Sequence, residues 1–290
     1  MTVIETAFAK INLHLDITGI MENGYHSVNT VMQSVSLCDT VTVSLRDDGL
    51  FSLTCDNPIV PTDDSNLAIR AALAFKIAVG MDIGADIHIE KRIPIAGGLA
   101  GGSADAAATL KALNKICGEP LSISRICSIG GALGADIPFC IVGGSSFADG
   151  KGDILHPFPK MPSCYIVIAS GGEGVSTPIA YGTLDSLYGG FGPTCGYAPV
   201  SLVPLTSAAE ASDLDGIVKN MFNIFEDPIL SIRPVAYSIK QAMLSSGAVG
   251  AMMSGSGPSI FGIFKNEAEA RVACRNIEDM GITPHLCRPC

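Results

Sequence analysis

A glycine-rich turn between a predicted strand and a predicted helix is the feature that most restricts what this chain can fold into. Residues 85–91 alternate apolar and polar side chains, as a half-buried strand does, and Pro94 ends the pattern. Residues 97–103 then read Gly-Gly-Leu-Ala-Gly-Gly-Ser, and a helix is predicted over 103–115. A helix start carries unpaired N–H groups and partial positive charge, and small residues let a polyphosphate approach it closely. One glycine would serve for a tight turn, whereas four in six positions predict an anion site.

Two other phosphate-binding motifs do not fit this turn. A P-loop requires G-x-x-x-x-G-K-[ST], but Ser103 stands where the lysine must follow Gly102. A dinucleotide-binding turn reads G-x-G-x-x-G within a βαβ unit, and Gly98 and Gly101 satisfy only part of that pattern. Pro120 also follows the helix where the pattern would lead towards a strand. The sequence therefore argues against an oxidoreductase.

Composition excludes several classes of partner. The net charge is −10 and there is no basic run, so nucleic acid and anionic membranes are poor partners. Mean hydropathy is +0.40, yet no stretch of about 18 residues combines low charge with freedom from Gly and Pro, as a spanning helix requires. Residues 1–10 include Glu5 and no apolar stretch, so we expect no signal peptide and a cytoplasmic location.

The ten cysteines predict no metal or redox site. Most lie in apolar surroundings and are predicted to be small buried side chains in a reducing compartment. The spacing Cys287-Arg-Pro-Cys290 matches half of a zinc or redox motif, but a second cysteine pair is missing. We interpret this pair as part of an ordinary C-terminal tail.

The periodicity of the rest of the chain predicts an α+β fold. Strands are predicted at 11–17, 40–45, 165–169, 248–253, 260–264 and 282–286. Helices are predicted at 65–79, capped by Ser65, and at 122–133, 177–187, 214–225, 228–245 and 267–280. Prolines cluster at 157–162, which predicts one domain over 1–157 and a second over 158–290.

A phosphate-binding turn suggests phosphoryl transfer, which also needs a cation and a group that orients the accepting hydroxyl. Asp136 lies in a predicted turn before Pro138, where an aspartate often only caps backbone N–H groups. Lys10 precedes the first alternating strand, where a lysine is usually solvated. From these residues alone, the catalytic and the ordinary interpretations of Asp136 are equally open.

Five segments in fixed order carry a resemblance to a known family. They are Ala9-Lys10-Ile-Asn12-Leu, Asn23-Gly24-Tyr25-His26, Pro94-x-x-Gly-Gly-Leu-Ala-Gly-Gly-Ser103-Ala-Asp105, Leu133-Gly-Ala-Asp136-Ile-Pro138 and Ser254-Gly-Ser-Gly257. In these segments, and over nearly its whole length, the chain resembles the GHMP small-molecule kinases. The resemblance implies a two-domain α+β fold with an N-terminal ribosomal-protein-S5-like domain and a C-terminal ferredoxin-like α/β-plait domain. It implies an active site in the cleft between them, and ATP as co-substrate together with Mg²⁺.

The resemblance also implies roles for individual residues. Asp136 would be the catalytic carboxylate that faces the substrate hydroxyl, Lys10 would hold the transferring phosphoryl group, and Asn12 would position the substrate. The Gly-Tyr-His and Gly-Ala-Asp-Ile-Pro segments resemble a member of the non-mevalonate isoprenoid pathway, whose substrate is a sugar alcohol joined to cytidine diphosphate. The residues implied at that substrate, besides Asn12, are Tyr25 and Tyr181 around the cytosine, His26 at its edge and Thr177 at the sugar end. The residues implied at ATP are Asn66, Lys91, Pro94, Gly97, Gly98, Leu99, Ala100, Gly101, Gly102, Ser103, Ala104, Gly255, Ser256 and Gly257.

The chain departs from the family at two places in the loop. Ala100 stands for a glycine, which costs little unless its φ is positive, and Ala104 stands for a serine, so metal ligands stay unassigned. Residues 182–212 match the family poorly. Two alternatives stay open, a kinase of the homoserine or mevalonate type and a non-catalytic binding protein on the same fold. The chain is expected to be a monomer or a homodimer.

Overall fold

A computed structural model of the chain describes residues 1–172, 174, 176–191 and 195–290, and the side chain of Thr177 lies outside the described part. The elements follow in the order β1 (Thr2–Ile20), β2 (His26–Arg46), β3 (Phe51–Cys55), α1 (Leu67–Val79), β4 (Gly84–Glu90), α2 (Gly101–Ile116), α3 (Ile123–Leu133), α4 (Ile137–Val142), β5 (Ser145–Asp149), β6 (Ile154–Pro157), β7 (Tyr165–Ser170), α5 (Thr177–Tyr188), α6 (Val203–Glu210), α7 (Leu214–Lys219), β8 (Phe222–Asn223), α8 (Glu226–Ser231), α9 (Pro234–Ser245), β9 (Gly250–Met253), β10 (Ser259–Phe264), α10 (Glu267–Glu278) and β11 (Pro284–Cys287). Across the described residues, no helix has the length and hydropathy that a bilayer span needs.

The chain divides into two compact units that do not follow chain order. The first contains Met1–Ala9, Cys38–Ile93 and Ala100–Gly143, and the second contains Lys10–Leu37, Pro94–Leu99 and Gly144–Cys290. The long strands β1 and β2 therefore contribute residues to both units. The domain limits predicted from the sequence, 1–157 and 158–290, remain a prediction.

In the first unit, helices pack beside a sheet in the order β3-β4-β2-β1. Strand β4 pairs antiparallel with β2 over Thr40 to Arg46 and parallel with β3. Helix α2 buries a run of alanines, among them Ala106 and Ala107. Because these side chains are small, α1 packs closely against α2.

The second unit contains a four-stranded antiparallel sheet in the order β11-β7-β10-β9. All six residues of β10 are buried, as expected for a strand covered on both faces. Ile239 and Met243 of α9 and Ile277 of α10 join its core. In the same unit β5 pairs with β2 and β6 with β5, while β8 runs parallel to β1, with His14 opposite Phe222.

Several predicted element boundaries are wrong. Asn66 rather than Ser65 caps α1, because the Asn66 side chain accepts a hydrogen bond from the Ala68 N–H. The helix predicted over 214–225 ends at Lys219, because Phe222 and Asn223 pair with β1 instead. The helix predicted over 228–245 divides into α8 and α9, because Pro234 disfavours helical backbone in the residue before it.

The C-terminal tail pairs with β2 in the second unit. The Cys290 N–H donates to the Ser34 carbonyl oxygen at 3.0 Å, and Gln33 Nε2 donates to the Cys290 carbonyl oxygen at 3.1 Å. Cys287 is buried, and burial raises the pKa of its thiol to about 12. The ten cysteines, all within the described residues, form no disulfide bond.

Candidate active site

The start of α2 has the backbone of an anion site. Its N-cap residue is Ala100, which makes no side-chain capping hydrogen bond with the described residues. The first N–H groups of a helix have no partner within it, and the first intrahelical bond here runs from the Ala104 N–H to the Ala100 carbonyl oxygen at 2.8 Å. Ala100 has φ of 57°, in the left-handed region. The substitution of alanine for glycine therefore carries a cost of about 1–2 kcal/mol at this position.

The two glycine loops that the sequence treats separately are in contact within the second unit. Gly98 has φ of 79°, and a Cβ there would lie 2.2 Å from the Ser254 carbonyl oxygen. A Cβ on Gly255 would lie 3.0 Å from the Gly98 carbonyl oxygen. Ser254 Oγ donates a hydrogen bond to that same oxygen at 3.0 Å. The close approach of these two backbones explains why glycine is needed in both loops.

Hydrogen bonds from the buried side chain of Asn223 also support the second glycine loop. Asn223 Nδ2 donates to the carbonyl oxygens of Met253 and Gly255, each at 2.8 Å. Gly255 and Gly257 both have positive φ, at 58° and 78°. Asn223 was not predicted from the sequence, and no motif marks it.

Lys10 is a buried lysine held by hydrogen bonds on one face of β1. Its Nζ donates to Asn12 Oδ1 at 2.7 Å, and Asn12 Nδ2 donates to Thr30 Oγ1 at 2.8 Å. Ser254 Oγ lies 3.5 Å from Asn12 Oδ1. The Lys10 N–H donates to the Leu99 carbonyl oxygen at 3.1 Å. Within the second unit, the structure thus brings Lys10 and Asn12 together with Leu99 and the second glycine loop, and it adds Thr30 and Ser254 to the predicted set.

Asp136 belongs to the first unit and occupies the N-cap position of α4. Its φ of −77° and ψ of −15° are helical, and its side chain makes no capping hydrogen bond to α4. The Asp136 side chain therefore does not cap α4, and its catalytic role stays a prediction. Gly130 of α3 permits the tight turn, since a Cβ there would lie 2.5 Å from Ile137 Cγ2. The turn also approaches the start of α2, because a Cβ on Gly134 would lie 3.9 Å from Ser103 Oγ.

Lys91 is buried between two carboxylates beneath the start of α2. Its Nζ donates to Asp39 Oδ2 at 2.6 Å and to Asp105 Oδ2 at 2.5 Å. Burial alone would lower the pKa of Lys91, but the attraction of Asp105 and Asp39 outweighs it and the pKa is raised. Burial raises the pKa of the Asp105 carboxyl to about 7. A Cβ on Gly101 would lie 3.1 Å from Lys91 Nζ, so this ammonium supports the helix start.

Both polar atoms of the Asn66 side-chain amide form hydrogen bonds. Oδ1 accepts from the Ala68 N–H at 2.8 Å, and Nδ2 donates to the Pro61 carbonyl oxygen at 2.7 Å. These bonds fix the start of α1. The roles of Asn66 and Lys91 at the adenine stay predictions.

His26 and Tyr181 lie together at the first residue of β2 and the second turn of α5. Their ring centroids are 4.7 Å apart, and Phe191 meets the His26 ring edge-on at 5.8 Å. His26 Nε2 lies 2.8 Å from Asp185 Oδ1. Tyr25 is 63 % exposed, which leaves its ring available to a ligand. The side chain of Thr177, assigned to the sugar end, lies outside the described residues.

Asp185 and Phe191 were not predicted because residues 182–212 match the family poorly. One signal was present, since Asp185 follows Tyr181 by four residues and such pairs share one face of a helix. Phe191 follows the end of α5 and carries no comparable signal.

The first unit contains an uncapped helix start, which is a typical phosphate site. The second unit contains a buried lysine beside a glycine loop, and phosphoryl transfer requires such a cation. Family comparisons agree. The model of the GHMP kinases N terminal domain matches residues 66–144, and the model of the GHMP kinases C terminal domain matches residues 205–283. The chain belongs to the GHMP kinases, which are ATP-dependent small-molecule kinases, and both the predicted family and the predicted fold class are confirmed.

Within that family, the chain is similar to one group of enzymes in particular. It is 41% identical over 274 residues to the 4-diphosphocytidyl-2-C-methyl-D-erythritol kinase of Gloeobacter violaceus, covering 94% of this chain and 89% of that protein. The crystal structure of a 4-(cytidine 5'-diphospho)-2C-methyl-D-erythritol kinase superposes with a TM-score of 0.80 at 29% identity, covering 99% of both chains. The homoserine kinase of Cytophaga hutchinsonii superposes with a TM-score of 0.73 at 19% identity, covering 99% of this chain and 94% of that one, and shows the shared fold alone.

Proposed function

We propose that the chain transfers the γ-phosphoryl group of ATP to the 2-hydroxyl of 4-diphosphocytidyl-2-C-methyl-D-erythritol, yielding the 2-phosphate and ADP. The observation that carries this proposal is the group formed by His26, Tyr181 and Asp185, which offers a ring face and a hydrogen-bonding edge. A base needs both features for recognition, because stacking alone accepts any base.

Lys10 is proposed to hold the transferring phosphoryl group. In phosphoryl transfer the protein mainly positions groups and stabilises charge on the equatorial oxygens. The hydrogen bond to Asn12 Oδ1 directs the Lys10 ammonium. Burial strengthens the attraction of this ammonium for phosphate, since little water screens it.

Asp136 is proposed to accept the hydrogen bond of the substrate 2-hydroxyl. As the bond from the hydroxyl oxygen to the γ-phosphorus forms, the bond from that phosphorus to the bridging oxygen of ADP breaks. The hydroxyl proton then passes to Asp136 late in the step. The accepting oxygen of a general base must lie within about 3 Å of the hydroxyl oxygen whose proton it takes up. Support comes from its position in the Gly-Ala-Asp-Ile-Pro turn, the segment that carries the family resemblance.

The ATP phosphates are proposed to lie on the glycine loop and the start of α2, with Mg²⁺ bound to them. The described residues include no group of three His, Cys, Asp or Glu that could form a protein cage for a metal. Ala104 has no hydroxyl, and the hydroxyl of Ser103 is the only side-chain oxygen in residues 97–104. We therefore assign no further protein ligand, because Mg²⁺ in such sites is held largely by phosphates and water. When bound, it would neutralise charge on the β- and γ-phosphates.

The proposed reaction belongs to the non-mevalonate route to isoprenoid precursors, and we propose that it takes place in the cytoplasm. The test is an assay of ADP release with three alcohols: the cytidine diphosphate substrate, homoserine and mevalonate. We expect turnover with the first alone, and a new phosphomonoester at its 2-position by phosphorus NMR. Preference for homoserine or mevalonate, or no turnover with any of the three, would overturn the proposal.

A further inference from the structure

A buried group of three charged side chains lies beneath the start of α2 in the first unit. It consists of Asp39 on β2, Lys91 after β4 and Asp105 in the second turn of α2. Their side chains are 0%, 5% and 4% exposed, respectively. Two carboxylates thus enclose one ammonium, and almost no water reaches any of the three. Because burying a charge is costly unless it is paired and hydrogen-bonded, each of these groups depends on the others for its place.

Asp39 connects this group to the backbone that follows β4. Its Oδ2 accepts a hydrogen bond from Lys91 Nζ at 2.6 Å. Its Oδ1 accepts from the N–H groups of Arg92 at 2.5 Å and Ile93 at 2.8 Å. Hydrogen bonds to an ionised acceptor are roughly twice as strong as neutral ones. One carboxylate therefore fixes three consecutive residues, through one side chain and two backbone groups.

The residues that Asp39 fixes form the surface on which α2 begins. A Cβ on Gly101, the first residue of α2, would lie 3.1 Å from both Lys91 Nζ and Ile93 Cγ2, so the helix packs directly on both side chains. One turn further on, Asp105 Oδ2 accepts from Lys91 Nζ at 2.5 Å. Lys91 therefore contacts α2 at two points, and Asp39 holds Lys91. The direction of the unpaired N–H groups at the helix start follows from these contacts.

We propose that Asp39 is a positioning residue that acts through Lys91 to hold the start of α2 in the orientation that binds the ATP phosphates. This inference rests on the proposed function, because it takes the ATP phosphates to lie on that helix start. It gives Lys91 a role other than the adenine contact that the family resemblance implies. Lys91 Nζ donates to two carboxylates and its side chain is almost fully enclosed, so a contact with the base would require the ammonium to leave both.

The experiment measures binding of ATP and of inorganic triphosphate to the full chain by calorimetry, each with Mg²⁺ and without the alcohol substrate. Inorganic triphosphate has no base, so it reports on the phosphate site alone. Asp39→Asn keeps the shape of the side chain but replaces one acceptor oxygen by a donor, which opposes either Lys91 or the two backbone N–H groups. We expect Kd to rise about tenfold, the usual scale for losing a hydrogen bond to a charged group. The rise should be the same for both ligands, because the base is not involved.

A charge-conserving variant and a matched control separate positioning from mere structure. Lys91→Met alone would leave Asp105 without a hydrogen-bond partner among the described residues, since its Oδ1 has none. Lys91→Met combined with Asp105→Asn removes one cation and one carboxylate, so the net charge of the group is unchanged, and it should also weaken both ligands equally. Lys76 Nζ donates to Asp82 Oδ1 at 2.7 Å at the far end of α1. Lys76→Met removes an ammonium there and should leave both Kd values within twofold of wild type.

The possible failures are distinguishable. Unchanged Kd values in Asp39→Asn and in the combined variant would overturn this inference and leave the proposed function standing. Weaker binding of ATP with unchanged binding of triphosphate would also overturn it, because Lys91 would then contact the adenine. No binding of triphosphate by wild type would overturn the proposed placement of the phosphates and this inference together. The choice of alcohol is tested separately, since the binding assay contains none.

Discussion

Ser254 Oγ donates a hydrogen bond to the carbonyl oxygen of Gly98 at 3.0 Å, which joins two glycine loops across 156 residues of sequence. The same serine hydroxyl lies 3.5 Å from Asn12 Oδ1, and Asn12 accepts from the Lys10 ammonium. A single hydroxyl thereby connects the phosphate loop to the proposed catalytic lysine. The geometry of one loop cannot change without disturbing the other.

Gly98→Ala tests this close contact. The new Cβ would lie 2.2 Å from the Ser254 carbonyl oxygen, at a φ of 79° that disfavours any side chain. Gly281 has a similar φ of 76° with nothing within 4 Å of its Cβ position, so Gly281→Ala is the matched control. Both variants should lose about 1–2 kcal/mol of stability from the left-handed backbone. Only Gly98→Ala should also raise KM for ATP, by about tenfold or more, in steady-state kinetics. Equal KM for ATP in the two variants would contradict the proposed contact.

Ala100→Gly should stabilise the protein. Ala100 has φ of 57°, and glycine removes a steric cost of about 1–2 kcal/mol. Glycine also stabilises the unfolded chain by about 0.4–1 kcal/mol, because it has more conformational freedom there. The free energy of unfolding in urea should therefore rise by about 0.5–1 kcal/mol in total. Ala211→Gly is the control, since Ala211 has an ordinary φ of −77° and should lose stability. A loss of stability in Ala100→Gly as well would show that the left-handed backbone costs nothing there.

The sequence predicts best where a local pattern decides the structure. The strand, glycine turn and helix from Gly84 to Ile116 were predicted nearly residue by residue, because alternation, proline and alanine-rich spacing are all local signals. The paired strands β9 and β10 were predicted for the same reason. The family resemblance then supplied the residues of the two glycine loops, which carry their own motif.

The sequence predicts poorly where long-range contacts decide the structure. The sequence of residues 171–200 is poorly patterned, yet it includes Tyr197 and Val200, which donate hydrogen bonds to the carboxylate of Asp16 on β1. The partners of such contacts are separated by more than 180 residues, as Tyr197 and Asp16 are by 181. Asp185 was missed for the same physical reason, because its importance depends on a histidine in another element.

The raised pKa of Asp105 predicts an unusual dependence of stability on pH. Burial raises its pKa to about 7, above the unfolded value of 3.8, so the native state holds its proton more tightly. The contribution of this group is therefore fully present below about pH 4 and is lost as pH rises towards 7. Asparagine does not titrate, so Asp105→Asn should remove that loss. The free energy of unfolding of the variant, relative to that of wild type, should therefore increase from pH 5 to pH 8.

Asp63 provides the control for this pH effect. Its hydrogen bonds to Ser65 lower the pKa of the Asp63 carboxyl, so its contribution changes only below pH 4. The difference between Asp63→Asn and wild type should stay constant from pH 5 to pH 8 in urea titrations. A constant difference for Asp105→Asn as well would contradict the raised pKa of Asp105.

Asp136→Asn distinguishes a catalytic carboxylate from a turn residue. The amide keeps the shape of the side chain and one acceptor oxygen but cannot take up the hydroxyl proton. If Asp136 orients and deprotonates the substrate hydroxyl, kcat should fall by roughly 10²-fold or more, with little change in either KM. If it only supports the turn, the loss should instead appear as about 1 kcal/mol of stability.

Variants of Ser122 and Lys10 provide a control and a double-variant comparison for Asp136→Asn. Ser122 Oγ accepts from the Arg125 N–H at 3.3 Å at the start of α3, so Ser122→Ala should lose stability while kcat is unchanged. Lys10→Ala should lower kcat, and the variant that combines it with Asp136→Asn should lose less than the product of the two single effects, because residues that act as a unit are not additive. Wild-type turnover in Asp136→Asn would remove the carboxylate from the mechanism. Fully multiplicative losses would mean that Lys10 and Asp136 act on separate steps.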